Sequence, residues 1–170
     1  SGMTGTEAEP YRISKLSDVA AINTLIQDQT ESHFVLESNL TLTTVWIYEN
    51  MLGKNLSGDI EPRPIEIPSG KTVYFDFNGH TITFEGIPGT VLSENLTEDV
   101  LLTMPYVDLW DYTCTPFIIS QGGTMYVSNG SKNSREKGQG GFICTDSLTS
   151  VIFKVEGTLT VDGGYFETVG

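Results

Sequence analysis

The chain has 170 residues, which suits one ordinary hydrophobic core and predicts a single domain. It carries 22 Asp and Glu residues against 9 Lys and Arg residues, giving a formal net charge of -13 at pH 7. A field of that sign repels nucleic-acid phosphates and anionic headgroups, so we expect no nucleic-acid partner. No run approaches the roughly 20 apolar residues of a membrane span, so we expect no membrane insertion.

The composition predicts an all-β fold. Charged residues make up 18% of the chain, whereas there are 18 glycines, and β-branched and aromatic residues recur in nearly every segment. The two cysteines, Cys114 and Cys144, show no metal-ligand spacing. We expect two buried thiols, and a disulfide between them is the alternative in an oxidising compartment.

The N-terminal part combines a polar leader with one helix. Residues 1–10 are polar and end in Pro10, which predicts a disordered leader whose first three residues resemble a tag remnant. A short strand follows. Apolar residues then recur at helical spacing from Ser17 to Gln27, with Ser17 as the candidate N-cap.

The next segment alternates apolar and polar residues from His33 to Tyr48, which predicts strands separated by bends. The run from Glu49 to Pro64 holds two glycines and two prolines and predicts an excursion loop. A short strand over Pro64 to Pro68 follows it.

Two apolar-alternating runs meet at Asn78-Gly79 within the stretch from Lys71 to Phe84, KTVYFDFNGHTITF. In one interpretation, Asn78-Gly79 is the type I′ turn of an antiparallel hairpin. In the other, it is a corner at which the chain passes from one sheet to the next. The local preferences of these residues for turns and strands are compatible with both structures.

Repetition favours the corner. Gly123 to Gly130, GTMYVSNG, is echoed by Gly157 to Gly164, GTLTVDGG, after 34 positions (157 − 123 = 34), and the run beginning at Gly70 is a looser third copy. Short apolar strands lie between these copies. Short strands with Gly/Asn/Ser corners predict a coil of three-sided turns, since a solenoid presents similar units again and again.

The segment FDFNGHTIT is similar to the "LDLNGxTI" corner, and GTLTVDGGYF to the "GTLTIxGGTF" rung, of right-handed parallel β-helix proteins of the pectate-lyase-like superfamily. The chain most resembles β-helix domains of large secreted and cell-surface bacterial proteins. The resemblance implies a β-helix over residues 11–170, with the helix from Ser17 to Gln27 covering its N-terminal end. It also implies an extracellular location. The segment from Tyr165 to Gly170 ends in or just after a predicted strand without an evident cap, which predicts that the chain is the N-terminal part of a longer protein. An antiparallel β-sandwich is the alternative fold.

Catalytic patterns of the superfamily are not evident. A pectate-lyase site needs clustered carboxylates for Ca²⁺ with a nearby Arg or Lys as base. Asp76 alternates outward beside Tyr74 without a matching second carboxylate, and His80 falls on the apolar parity, which predicts a packed corner imidazole. We therefore predict no catalytic residues and no required cofactor.

The most site-like segment is VDLWDYT, which places Asp108, Trp110, Asp111 and Tyr112 together in a predicted loop. Aromatic rings beside carboxylates can stack on sugars and accept their hydroxyl hydrogens, or help to hold Ca²⁺. The alternative is that Trp110 merely packs the loop onto the coil. Packing is likewise the expected role of Trp46 and Tyr48.

A basic loop spans Ser128 to Gly141 and holds Lys132, Arg135 and Lys137, a third of the 9 basic residues. It is interpreted as a solvated loop tip, with an anionic partner as the alternative.

Three hypotheses for function follow. The first is a non-catalytic adhesion or glycan-binding module of a bacterial surface protein, with a polysaccharide or host glycan as partner. The second is a polysaccharide lyase or glycoside hydrolase, and the third is a purely structural stalk. The sequence leaves the oligomeric state open.

Overall fold

The computed structural model describes residues 3–43, 46, 50–54, 60–62, 64–85, 115–145 and 151–168. Within them the fold is mostly β, and its elements in chain order are β1 (Tyr11–Ile13), α1 (Leu16–Ala20), α2 (Ile22–Asp28), β2 (Glu31–Leu36), β3 (Leu40–Thr43), β4 (Leu52–Lys54), β5 (Ile60–Pro62), β6 (Ile65–Ile67), β7 (Thr72–Asp76), β8 (Thr81–Glu85), β9 (Phe117–Ile119), β10 (Thr124–Ser128), β11 (Gly141–Cys144), β12 (Phe153–Val155), β13 (Thr158–Val161) and β14 (Tyr165–Glu167).

Twelve of the described strands form three parallel sheets. Sheet A has the order β1-β2-β7-β10-β13, sheet B has β14-β11-β8-β3, and sheet C has β12-β9-β6. From β2 onward the chain enters the sheets in the cyclic order A, B, C, so that each circuit lays its strands beside those of the previous circuit. Circuit 1 is β2, β3 and β6; circuit 2 is β7, β8 and β9; circuit 3 is β10, β11 and β12; circuit 4 is β13 and β14.

The strand register confirms the sequence repeat. Thr124 pairs with Thr158 and Val127 with Val161, which preserves the 34-residue offset of the two best copies (158 − 124 = 34). The looser third copy joins the same row, because Thr72 pairs with Thr124. Equivalent residues of successive copies therefore stack directly on one another.

The Asn78-Gly79 turn is a corner between sheets. The chain enters it from β7 in sheet A and leaves it into β8 in sheet B, and both strands pair with parallel neighbours. Asn78 and Gly79 have φ of 51° and 78°, and the His80 N–H donates to the Phe77 carbonyl at 2.8 Å. The local turn is as tight as a hairpin would need, but the two strands that it joins belong to different sheets. The parallel pairing contradicts the antiparallel sandwich.

The core lies between the three sheets and is filled by alternate residues of each strand. In β7, Val73 and Phe75 are buried, whereas Thr72, Tyr74 and Asp76 are partly exposed. Six phenylalanines are among the largest fully buried side chains: Phe34, Phe75, Phe77, Phe84, Phe117 and Phe142. Such alternation with one buried face is typical of a sheet that covers a core.

The predicted helix is present as α1 and α2, and it packs beside the first circuit. Val19, Ile22 and Ile26 are buried, and the Asn23 side chain bonds the Pro64 carbonyl at 2.9 Å and the Glu66 N–H at 3.0 Å. The N-cap is Lys15 rather than the predicted Ser17. The helix begins earlier because the Asp18 carboxylate accepts hydrogen bonds from the backbone N–H groups of Ser14 and Lys15, at 3.0 and 3.2 Å.

Residues 3–10, for which the sequence predicts a disordered leader, lie against sheet A. The His33 N–H donates to the Gly5 carbonyl at 2.8 Å, and the Gln29 side chain donates to the Thr4 carbonyl at 2.8 Å. Gly5 has φ 74°, and a Cβ at this residue would lie 2.2 Å from the Tyr11 ring. This segment therefore lies beside β2, at the end of sheet A where the first circuit begins.

The excursion predicted from Glu49 to Pro64 contains the antiparallel pair β4 and β5. Trp46 is half-buried and packs against the core, as expected, whereas Tyr48 lies outside the described residues. Cys144 is fully buried, in agreement with the prediction for that thiol. Cys114 is outside the described residues, so the question of a disulfide stays open.

Candidate ligand-binding groove

Three rings stack in register on the outer face of sheet A. The pairing of β2 with β7 and of β7 with β10 aligns His33 with Tyr74 and Tyr74 with Tyr126. The His33 and Tyr74 ring centroids are 4.3 Å apart with planes at 1°, and those of Tyr74 and Tyr126 are 4.7 Å apart with planes at 14°. We call these three residues the ring ladder. Each ring faces its neighbour, so the ladder turns its edges to the solvent.

A groove of about 550 Å³ runs beside the ring ladder. Its polar lining comes from Glu7 and from three successive circuits: Glu31, His33, Tyr74, Asp76 and Ser128. Pro10 closes the N-terminal side together with Glu7. The groove is therefore elongated across the strands, and Glu7 and Pro10 form a wall at one end.

The electrostatics of the groove are set by carboxylates. Burial, followed by the negative charges of Glu31 and Glu7 and by Tyr126, raises the pKa of Tyr74 above its ordinary value of 10.0. The phenol is therefore protonated at neutral pH and can both donate and accept a hydrogen bond. Glu31 Oε2 lies 3.1 Å from His33 Nε2, which orients that ring from the side of the groove.

Asp76 is fixed by the backbone of two circuits. Its Oδ1 accepts hydrogen bonds from the N–H groups of Asn78 and Gly130, both at 2.8 Å. The predicted outward position of Asp76 is confirmed, because its side chain is partly exposed in the groove. Its position is therefore held by backbone donors from both circuits.

The arrangement is suited to binding a hydroxyl-rich polymer. Carboxylates and phenols bond hydroxyl groups, and the ring edges offer apolar contact beside them. Parallel strands repeat at about 4.8 Å, so the polar groups recur at regular intervals along the groove. In the described part of the chain, no group of three or more His, Cys, Asp or Glu side chains is placed to hold a metal ion.

The sequence-predicted site, Asp108, Trp110, Asp111 and Tyr112, lies outside the described residues and stays a prediction. His80 stands at the corner after Gly79, partly buried, with its carbonyl accepting from the Gly141 N–H at 3.0 Å. This placement agrees with the expected corner role and lies apart from the groove lining.

Two side chains of the basic loop contact the last circuit of the protein itself. Lys137 Nζ lies 3.1 Å from Glu167 Oε2, and the Arg135 guanidinium donates to the Asp162 carbonyl at 3.3 Å. Lys132 is exposed. These contacts give Arg135 and Lys137 a role in holding the loop against circuit 4.

Buried Asn129 anchors the same loop. Its Nδ2 donates to the carbonyls of Ser134 and Gln139 at 2.8 and 2.9 Å, and its Oδ1 accepts from the Gly79 N–H at 2.8 Å. The residue is 3% exposed, so these hydrogen bonds of its side chain all lie inside the protein.

The ring ladder was not predicted from the sequence, although a signal for it exists. Tyr74 and Tyr126 both lie two residues after the first threonine of their copy of the repeat, Thr72 and Thr124. Stacking the repeats in register would have placed the two rings side by side. His33 carries no such signal, because its circuit lacks the repeat motif.

None of the described helices is long and apolar enough to cross a membrane. Comparison of the chain with protein-family models, with curated proteins and with solved structures found no match in any of the three.

Proposed function

We propose that this chain is an extracellular module of a bacterial surface protein that binds glycans without altering them chemically. Its framework would be a right-handed parallel β-helix of the pectate-lyase-like type. The three parallel sheets, entered in a constant cyclic order, support that fold. The corner and rung motifs at Asn78-Gly79 and Gly157 to Phe166 favour the pectate-lyase-like type.

The observation that carries the proposed function is the groove beside the ring ladder. It crosses three successive circuits, and each of them contributes a polar side chain. A linear glycan lying across the strands would meet a carboxylate or hydroxyl at each step and an aromatic edge beside it. Binding needs only this complementarity, whereas hydrolysis would need two carboxylates set on either side of one bond.

The test is a screen of the 170-residue chain on a glycan array, followed by isothermal titration with the strongest ligand. Tyr74→Ala removes the central ring of the ladder and should raise the Kd at least tenfold, which corresponds to a loss of about 1.4 kcal/mol of binding free energy. Tyr165→Ala is the matched control, because it removes the same ring from sheet B, away from the groove. We expect the control to retain the wild-type Kd.

Two results would refute this function. One is the absence of binding to any glycan on the array, and the other is an unchanged Kd in Tyr74→Ala. Circular dichroism of each variant shows whether a loss of binding comes from loss of fold.

The loop around Trp110 is proposed as a second contact for the same ligand. Trp110→Ala should then weaken binding, and a chelator should weaken it further if Asp108 and Asp111 hold Ca²⁺. Wild-type affinity in Trp110→Ala would assign the ring to packing and leave the groove as the site.

A further inference from the structure

We propose that the groove selects its glycan by charge. It binds an uncharged polysaccharide and excludes the same polysaccharide when that carries carboxylates. This inference rests on the proposed function and names the ligand class for that site.

The first observation is the sign of the charges that line the groove. Glu7, Glu31 and Asp76 contribute three carboxyl groups, and the described lining includes no Lys or Arg. The whole chain adds to this field, since its formal net charge is -13. An anionic sugar placed beside the ring ladder would meet like charges at short range and a repulsive field at long range.

The second observation is that nearby cations are held by other groups. Arg12 is paired with Glu37 at 2.5 Å. Lys71 Nζ donates to the carbonyls of Gln27 and Gln29 at 3.0 and 2.8 Å. Moving either cation onto a ligand would break those contacts, so neither is placed to neutralise a bound carboxylate.

The third observation is that the groove polar groups suit neutral hydroxyls. Asp76 is held in place by two backbone N–H groups, and Glu31 is held beside His33. Carboxylates fixed in this way act as acceptors for sugar O–H groups without reorganising. The Tyr74 phenol, which lines the groove, can accept or donate as the sugar requires. The carboxylate group of an acidic sugar, unlike the hydroxyl that it replaces, offers no donor to Glu7, Glu31 or Asp76.

The test uses matched pairs of oligosaccharides that differ only in charge. The probes are hexagalacturonate and its full methyl ester, and cellohexaose whose primary hydroxyls have been oxidised to carboxylates together with the methyl ester of that acid. Each is titrated against the wild-type chain at low ionic strength and at about 0.5 M salt. These four probes are also placed on the glycan array, so that the array ligands and the pairs are compared directly.

We expect the esters or other neutral glycans to bind, and the corresponding acids to bind at least tenfold more weakly at low salt. Screening shortens the reach of the repulsion to a few ångströms, so high salt should narrow the difference. The double variant Glu7→Gln/Glu31→Gln removes two of the three groove carboxylates and keeps the size and polarity of both side chains. It should therefore reduce the difference in affinity between ester and acid to about threefold or less. Glu156→Gln is the control, since it removes one carboxylate outside the groove lining.

The outcomes separate the inference from the function. If the acids bind as tightly as their esters, or if only acidic glycans bind on the array, charge selection is refuted while glycan binding stands. If the difference is unchanged in the double variant, the groove carboxylates are not its cause and the inference also fails. If no glycan binds at all, the proposed function is refuted and the inference with it.

Discussion

Asn129→Asp is the sharpest test of how the corners are held. The substitution keeps the shape of the side chain and replaces its donor group with a carboxylate oxygen. In the wild type, Asn129 Nδ2 donates to the carbonyls of Ser134 and Gln139, and Oδ1 accepts from the Gly79 N–H. The variant keeps the acceptor and loses both donor contacts at a site that is 3% exposed.

The expected destabilisation follows from those contacts. Two hydrogen bonds contribute about 1 kcal/mol each, and leaving buried acceptors without donors adds roughly 1–3 kcal/mol. We therefore expect Asn129→Asp to lower the free energy of unfolding by at least about 3 kcal/mol, out of the 5–15 kcal/mol usual for a domain. The carboxylate also faces two carbonyl oxygens, so its folded-state pKa should be raised. Protonation would then restore a donor, and the destabilisation should shrink as the pH falls.

The assay is urea unfolding followed by circular dichroism at pH 7 and pH 5. Asn50→Asp makes the same chemical change at an exposed asparagine whose amide donates to the Trp46 carbonyl at 2.9 Å, and it should stay within about 0.5 kcal/mol of wild type. A loss below about 1 kcal/mol in Asn129→Asp would refute the reasoning. A loss that grows at pH 5 would refute the assigned role of the amide donor.

Two other predictions concern the later circuits. A Cβ at Gly141, where φ is 142°, would lie 1.9 Å from the Tyr165 carbonyl oxygen, so Gly141→Ala should cost at least about 3 kcal/mol in urea unfolding. Gly79→Ala is the control: it adds a Cβ with nothing within 4 Å and should cost only the positive-φ penalty of about 1–2 kcal/mol. Equal losses of stability in the two variants would contradict a steric role for the contact between Gly141 and Tyr165. The Tyr165 hydroxyl, followed by Lys137, lowers the pKa of Glu167 below 4.5, so the stabilisation by this carboxylate is present above pH 4.5 and is lost as the pH falls through the folded-state pKa. Carbon-detected NMR titration should place that pKa below 4.5 and move it upward in Tyr165→Phe, and an unmoved pKa would exclude the hydroxyl as its main cause.

Much of the architecture could be predicted because it depends on parity and repetition. The two apolar-alternating runs that meet at Asn78-Gly79 predict one inward face on each strand, and the structure buries Phe75, Phe77, Ile82 and Phe84. The Asn78-Gly79 turn shows the limit of local rules. A hairpin and a corner need the same positive-φ residues there, so only the repeated copies downstream could distinguish between them.

The features that sequence analysis missed depend on contacts between circuits. Asn129 follows Ser128, which pairs with Asp76, so it occupies the position that Phe77 holds one circuit earlier. An apolar pattern cannot predict an asparagine at that position. The amide is accommodated because the loop folds back over it and supplies two carbonyls. The wall formed by Glu7 and Pro10 was missed for a similar reason. Its segment is held by hydrogen bonds from Gln29 to the Thr4 carbonyl and from His33 to the Gly5 carbonyl, and a polar composition does not predict those contacts.

The cyclic order of the sheets is independent of the length of each circuit. From Thr72 to Thr124 the chain uses 52 positions (124 − 72 = 52), and from Thr124 to Thr158 it uses 34 (158 − 124 = 34), yet all three threonines pair in one row. The longer circuit has its additional residues between β8 and β9. Each doubling of the number of residues in a connection costs only about 0.6 kcal/mol in closure entropy. Evolution can therefore lengthen or exchange this connection without disturbing strand pairing, and an alignment that assumes a fixed period would misplace every residue after it. The same connection is a natural position for grafting a foreign segment.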